Sequence, residues 1–342
     1  MPIEIRKATS KEMKKNIRVV KMMTRGMQFD ENMAKVNWKA VRRISGIGYT
    51  FMPREKGVKV YRLRIGNGKS EISIPENVND GVIVMYIHGG GFVSGSAASS
   101  RGYCSMLAKA TGYKVVAVDY RLAPENPYPS GLDDCYEMFC KLAQKYPKAE
   151  IVLCGESAGA NLCLALCHRI NAECDDSGIY GCNDEKNSDN CDELEQAHDD
   201  IEIDKRIAAV IVHSPFMDFT GSLSRGEHEV DDFTVKEGCL PALNEIYVGK
   251  HNADDSCVSP LYGYYKNFPP TFITCDYNET LYADSMELYH MCEDAGVDVR
   301  MIQMQGAFHA FATMGTGTPE TMKILEDMKL FIKKSIHKNK TL

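Results

Sequence analysis

Apolar and polar positions follow two different rhythms along this chain. Up to residue 45 the spacing is helical. Met13, Ile17, Val20 and Met23 share one face of KEMKKNIRVVKMM, and Met33, Val36, Ala40 and Ile44 share one face of ENMAKVNWKAVRRI. An apolar residue every three to four positions marks an amphipathic helix. The spacing therefore predicts two helices within residues 10–45, with Gly26 and Gly46 placed to cap their C-termini. VKVYRLRI (58–65) alternates residue by residue, as a strand with one wet face does.

After residue 80 the rhythm changes. GVIVMYIHG (81–89), KVVAVDY (114–120), EIVLCGES (150–157), RIAAVIVHSP (206–215), PPTFITCD (269–276) and VDVRMIQMQG (297–306) are near-continuous apolar runs. Strands without a wet face are covered on both sides, the habit of parallel sheets. Helical patterns separate them at SSRGYCSMLAKATG, GLDDCYEMFCKLAQKYP, AGANLCLALCHRI and DSMELYHMCEDAG, and PETMKILEDMKLFIKKSI closes the chain. Such alternation predicts an α/β fold with helices on both faces of a mostly parallel sheet. Two stretches interrupt it. Residues 171–204 are polar and acidic without apolar period, which predicts a mobile surface insertion. Residues 218–255 carry LPALNEIYVG, a short helix outside the sheet pattern.

Composition narrows the class. An apolar fraction of 44% and a charged fraction of 25% over 342 residues are ordinary for a globular protein. The net charge is −7, yet 171–204 alone holds eight Asp and five Glu against Lys186. That segment carries −12, so the remainder is about +5. No basic stripe interleaves with aromatics, so nucleic acid is not an expected partner. No apolar run reaches 18 residues, so no membrane span is expected. MPIEIRKATSKEMKKN lacks the apolar core of a secretory signal. Several of the thirteen cysteines, such as Cys154, Cys163 and Cys167, sit inside apolar patterns, where a thiol acts as a small hydrophobe. Without an export signal they read as reduced thiols of a cytoplasmic protein.

Candidate chemistry sits at the strand ends. Strand EIVLC runs into Gly155-Glu156-Ser157-Ala158-Gly159 and then directly into a helix. This is G-x-S-x-G in its required context, a sharp strand-to-helix turn that exposes the serine Oγ. The alternative is a chance match at a helix start. His88-Gly89-Gly90-Gly91-Phe92 ends strand VIVMYI. Successive glycines let backbone N–H groups face a ligand with no Cβ in the way. Gly89 and Gly90, with Ala158 after the serine, are the expected oxyanion donors. His88, Gly91, Gly155 and Gly159 support the two turns. A base is needed late in the chain, because the order in this fold is Ser, acid, His. Of the histidines after Ser157, His168 and His290 lie on helical patterns, His198 in the acidic segment and His337 near the end. His309, in QGAFHAF, alone lies in a loop after a core strand. The acid belongs in CDYNETLYAD (275–284), where Asp276, Glu279 and Asp284 crowd the end of a strand. Asp276 is the first carboxylate there. Asp284 opens the next helix, where a carboxylate suits the dipole as an N-cap.

Other motifs fall away. Cys174, Cys182 and Cys191 lack zinc spacing, so no metal is expected. Gly66-Asn67-Gly68-Lys69-Ser70 ends like a phosphate-binding loop but lacks its first glycine.

HGGGF, YRLAPENPYP (120–129), GESAG, SPLYG (259–263), FPPTFIT and GAFHAF together resemble the hormone-sensitive-lipase-like branch of the α/β-hydrolases, also called bacterial family IV esterases. The resemblance spans roughly residues 80–335. It implies an eight-stranded, mostly parallel sheet with a helical cap. Residues 1–45 and about 216–256 would form the cap, and 46–342 the hydrolase domain with its insertion at 171–204. It implies a serine hydrolase without metal or organic cofactor, acting on short- to medium-chain carboxylic esters. A small-molecule ester is then the partner, and a homodimer is compatible. The family's acid precedes x-Leu and an acidic pair, a frame that Glu279-Thr280-Leu281 fits. The 30 residues from Glu279 to His309 match the family spacing. The resemblance therefore selects Glu279 over Asp276. GESAG departs from the family at position 156, where Asp or Thr is usual. The same machinery serves amidases, deacetylases and lactonases, and related receptors have lost the histidine. In the N-terminal helices, Met13, Met22, Met23 and Met27 either line the pocket or pack the cap on the body.

Overall fold

A computed structural model describes residues 2–24, 30–49, 54–63, 69–174, 206–225, 230–236, 238–314 and 317–339. The acidic segment 171–204 lies outside these from position 175, as do Gly26 and Met27. Nine strands build one sheet: β1 (Glu4–Lys7), β2 (Val58–Arg62), β3 (Glu71–Pro75), β4 (Val82–Ile87), β5 (Lys114–Val118), β6 (Glu150–Glu156), β7 (Ile207–His213), β8 (Thr271–Asp276) and β9 (Val299–Gln305). Their order is β1-β9-β8-β7-β6-β4-β5-β3-β2. β3 pairs antiparallel with β2 and β5, and the other pairings are parallel.

The apolar strands have no wet face because each side feeds a separate core. In β4, Ile83, Met85 and Ile87 enter one cluster, and Val82, Val84 and Tyr86 the other. β6 divides likewise, Ile151 and Leu153 against Val152 and Cys154. Alternate Cβ atoms of a strand point to opposite faces, so a doubly covered strand must be apolar throughout. Helices α4 (Ser130–Lys145), α5 (Ala158–Cys174) and α7 (Tyr282–Asp294) supply the first cluster. Helices α1 (Lys11–Thr24), α3 (Arg101–Thr111) and α9 (Pro319–Asn339) supply the second.

Several details differ from the sequence rhythm. β1 adds a strand to the eight expected, pairing parallel with β9 at the sheet edge. Its residues EIRK are mostly polar and exposed, as edge strands often are, so no apolar pattern announced it. ENMAKVNWKAVRRI is broken into a 3-10 turn (Met33–Lys35) and helix α2 (Trp38–Tyr49). Asn37 starts α2, its Oδ1 accepting the Ala40 N–H at 3.1 Å, and side-chain capping of this kind favours a new helix start. Gly46 accordingly lies inside α2 and is no C-cap. The short helix of LPALNEIYVG is α6 (Cys239–Leu243), running into a π turn at Asn244–Val248. Residues 1–45 are thus divided. β1 joins the sheet and Met13 is buried in the same core as α9, whereas Met22 is 71% exposed.

Candidate active site

Ser157 stands between the last residue of β6 and the first of α5, with φ of 54°. That conformation is disfavoured for a non-glycine residue and is held by its surroundings. Its N–H donates to the His213 carbonyl at 2.9 Å. A Cβ on Gly155 would meet the Gly159 carbonyl oxygen at 2.5 Å, and one on Gly159 would run into the Ile87 carbonyl. The turn therefore closes only with glycine at both positions. Ala158 opens α5, so its N–H is one of the helix's unpaired first-turn donors.

The His88–Gly91 loop lies directly against this turn. A Cβ on Gly89 would come within 3.2 Å of Ser157 Cβ and 2.7 Å of the Glu156 carbonyl. The buried His88 ring stacks on Tyr120 at 4.3 Å, and Tyr120 Oη donates to the His88 carbonyl at 2.9 Å. Burial pushes the His88 imidazole below its usual range, so it stays neutral. The Gly89 N–H donates to Glu156 Oε1 at 2.9 Å, so it is already engaged by a carboxyl. Among the described residues no acceptor takes the N–H of Gly90 or Gly91.

Glu156, at the position where the family carries Asp or Thr, therefore anchors the glycine loop. Tyr86 Oη bonds its other oxygen. Burial pushes its carboxyl up to about 8, against the Gly89 hydrogen bond. Glu156→Gln retains an acceptor for Gly89 and is expected to hold kcat within about threefold, because the buried N–H stays paired. Glu156→Ala leaves that N–H unpaired, at about 1–3 kcal/mol, and is expected to lower kcat roughly tenfold. Steady-state kinetics of both variants on a p-nitrophenyl ester would check this.

His309 and Glu279 come from loops after β9 and β8. Both are buried, and His309 Nδ1 lies 3.4 Å from Glu279 Oε2. Burial pushes Glu279 up to about 7, against the pull of the nearby His309 ring and the Ser214 hydroxyl. Burial works to lower His309, but Glu279, then Asp232 and Glu156, outweigh it and raise it. Asp276 holds the same two loops together elsewhere. It accepts the Ala307 N–H at 2.7 Å and the Asn278 N–H at 3.0 Å. Asp284 is not an N-cap. It is fully buried in a two-point ion pair with Arg225, both contacts 2.7 Å, and accepts the Met217 N–H at 2.8 Å.

Ser214 escaped the sequence reading. Its Oγ donates to Glu279 Oε2 at 2.8 Å and accepts the Ala310 N–H at 2.9 Å, tying the acid to the histidine loop. Its φ is 50°. Phe92, Ser157, Ser214, Asn267 and Ala310 are the described non-glycine residues with positive φ, and all but Asn267 border this site. Backbone strain concentrates where surrounding structure holds functional groups in place. A serine directly after an apolar strand carries no such signal in the sequence.

A mixed sheet of this order, with a serine on a strand–helix turn and a histidine after the last strand, defines the α/β-hydrolase class. Comparison with known proteins agrees. A family model described as alpha/beta hydrolase fold matches residues 84–313. An esterase of Acinetobacter venetianus is 27% identical over 287 residues, 82% of this chain and 83% of that protein. An acetyl-hydrolase of Streptomyces hygroscopicus is 26% identical over 74% of this chain and 76% of its own length. The crystal structure of an esterase from the bacterial hormone-sensitive lipase family matches 96% of this chain and 99% of that one, with a TM-score of 0.76 and 24% identity. The chain belongs to the α/β-hydrolase fold family and is a hydrolase. No helix among the described residues is long and apolar enough to cross a membrane.

Proposed function

We propose that the protein is a serine carboxylesterase acting on short- to medium-chain acyl esters. The observation that carries this reading is the approach of Glu279 to His309 beside the strained Ser157 turn. His309 takes the proton as Ser157 Oγ attacks the ester carbonyl, and returns it to the leaving alcohol. Glu279 holds the imidazole through Nδ1 and stabilises its charged form. The N–H groups of Gly90 and Ala158 are assigned to the oxyanion, and that of Gly89 donates to Glu156 in this structure. Water, activated by His309, then clears the acyl-enzyme.

Cap and pocket assignments follow from packing. Three rings of the second cap segment pack on the glycine loop's Phe92: Tyr247 stacks on it at 3.8 Å, and Phe219 lies 5.6 Å from it and 4.6 Å from Phe216. The three buried rings around Phe92 are assigned to the acyl side of the pocket, where their bulk favours a short chain. The name of the Streptomyces relative, an acetyl-hydrolase, points the same way. The test is a panel of p-nitrophenyl esters from acetate to laurate. Acetate and butyrate are expected to give the highest kcat/KM, with laurate at least roughly tenfold lower, since a pocket discriminates by what it excludes. A maximum at laurate would overturn the pocket assignment. No turnover of any ester, with hydrolysis of amides or lactones instead, would overturn the esterase reading.

A further inference from the structure

We propose that Asp231–Val235, in the connection between β7 and β8, is a positioning clamp for the loops that carry Glu279 and His309, with Asp232 as its charged member. The proposal rests on the serine-hydrolase reading above.

Three hydrogen bonds bind this stretch to the acid loop on both sides of Glu279. The Asp231 N–H donates to the Asn278 carbonyl at 3.0 Å. The Thr280 N–H donates to Asp232 Oδ2 at 3.0 Å. Thr280 Oγ1 donates to the Val235 carbonyl at 2.7 Å. The stretch also reaches the histidine loop, where the Phe233 ring lies 5.7 Å from that of Phe308, the neighbour of His309. The clamp is itself rigid. Asp232 Oδ1 accepts the Thr234 N–H at 2.8 Å, the Thr234 hydroxyl at 2.7 Å and the Val235 N–H at 3.1 Å. Lys236 Nζ bonds the Asp232 carbonyl, and Lys21 of α1 lies 4.8 Å from the Phe233 ring centre. Asp276 and Ser214 join the two loops from the sheet side. Asp231–Val235 holds them from the other.

Asp232 also adds charge. His309 is faced by Glu279 from the loop after β8, by Asp232 from the clamp and by Glu156 from the end of β6. Asp232 in turn faces Asp276 and the Cys239 thiol. A buried negative charge near His309 favours the imidazolium. Removing it lowers the pH at which His309 loses its proton, so the neutral, working base persists further into acid.

Asp232→Asn in the full chain tests both roles. Wild-type kcat/KM for p-nitrophenyl acetate is expected to fall on the acid side at a pH above that of a free imidazole. In Asp232→Asn, kcat is expected to fall roughly tenfold with KM within about twofold, since small displacements of reacting groups are costly. The acid limb should move to lower pH. Asp232→Glu keeps the charge and should keep the limb in place. Unchanged kcat in Asp232→Asn, or a loss with the limb unmoved, would overturn the proposal. Should Asp232→Asn not fold, Thr280→Val removes only the bond to Val235. A kcat reduced about threefold at constant KM supports the clamp, and unchanged kcat overturns it. Failure of the underlying reading looks different: the wild-type protein would neither turn over esters nor be labelled by a fluorophosphonate.

Discussion

Ser157→Ala is expected to lower kcat on p-nitrophenyl butyrate by on the order of 10⁶, to near the background of a folded scaffold. The argument runs through the turn. Ser157 sits at φ 54° between a strand and a helix, with glycine at 155 and 159 because no Cβ fits. Alanine tolerates this conformation as poorly as serine does and needs no more room. Fold and thermal stability are therefore expected to change little. What disappears is the hydroxyl oxygen proposed to attack. Residual catalysis from oxyanion donors and substrate positioning alone is modest, on the order of 10³–10⁴ over water. Circular dichroism beside kinetics separates loss of chemistry from loss of structure. Wild-type rates in Ser157→Ala would remove Ser157 from the mechanism.

The second large effect distinguishes two neighbouring acids. Glu279→Ala is expected to lower kcat by on the order of 10⁴, because His309 would lose the group that orients it and stabilises its charge. Asp276→Ala is expected to act mainly on stability. Two loop N–H groups, of Ala307 and Asn278, would lose their acceptor, at about 1–3 kcal/mol together with a small effect on kcat. The two carboxylates are three positions apart and both buried, so burial alone cannot rank them. Their partners can: Glu279 faces an imidazole, and Asp276 faces backbone. Measuring kcat and melting temperature on both variants gives opposite patterns. Equal losses of kcat would overturn the assignment of Glu279.

The proposed site was unevenly legible. Ser157 and the glycine loop were visible because their chemistry needs special backbone, and glycine at fixed offsets is the trace of special backbone in a sequence. His309 was reached by elimination, since loops after core strands are few. Ser214 was invisible, because its role depends on a hydroxyl that meets residues 65 and 96 positions away. The bond of Gly89 to Glu156 was out of reach for a related reason. Its motif predicts a donor, but whether that donor is available depends on Glu156, which arrives from another strand. Asp284 looked like a helix cap because its partner Arg225 lies 59 residues earlier.

By itself, the sequence determined the α/β alternation, the doubly covered strands and the residue types able to attack, donate and accept a proton. These follow from local pattern: period, turn geometry and side-chain chemistry act within a few residues. Only the tertiary structure decided which carboxylate reaches His309, which glycine amide is already engaged, and that EIRK forms an edge strand. It also decided that Asp231–Val235 closes on both loops. Those outcomes depend on groups far apart in sequence meeting within about 3 Å, the range over which a hydrogen bond forms. No local pattern encodes such a distance.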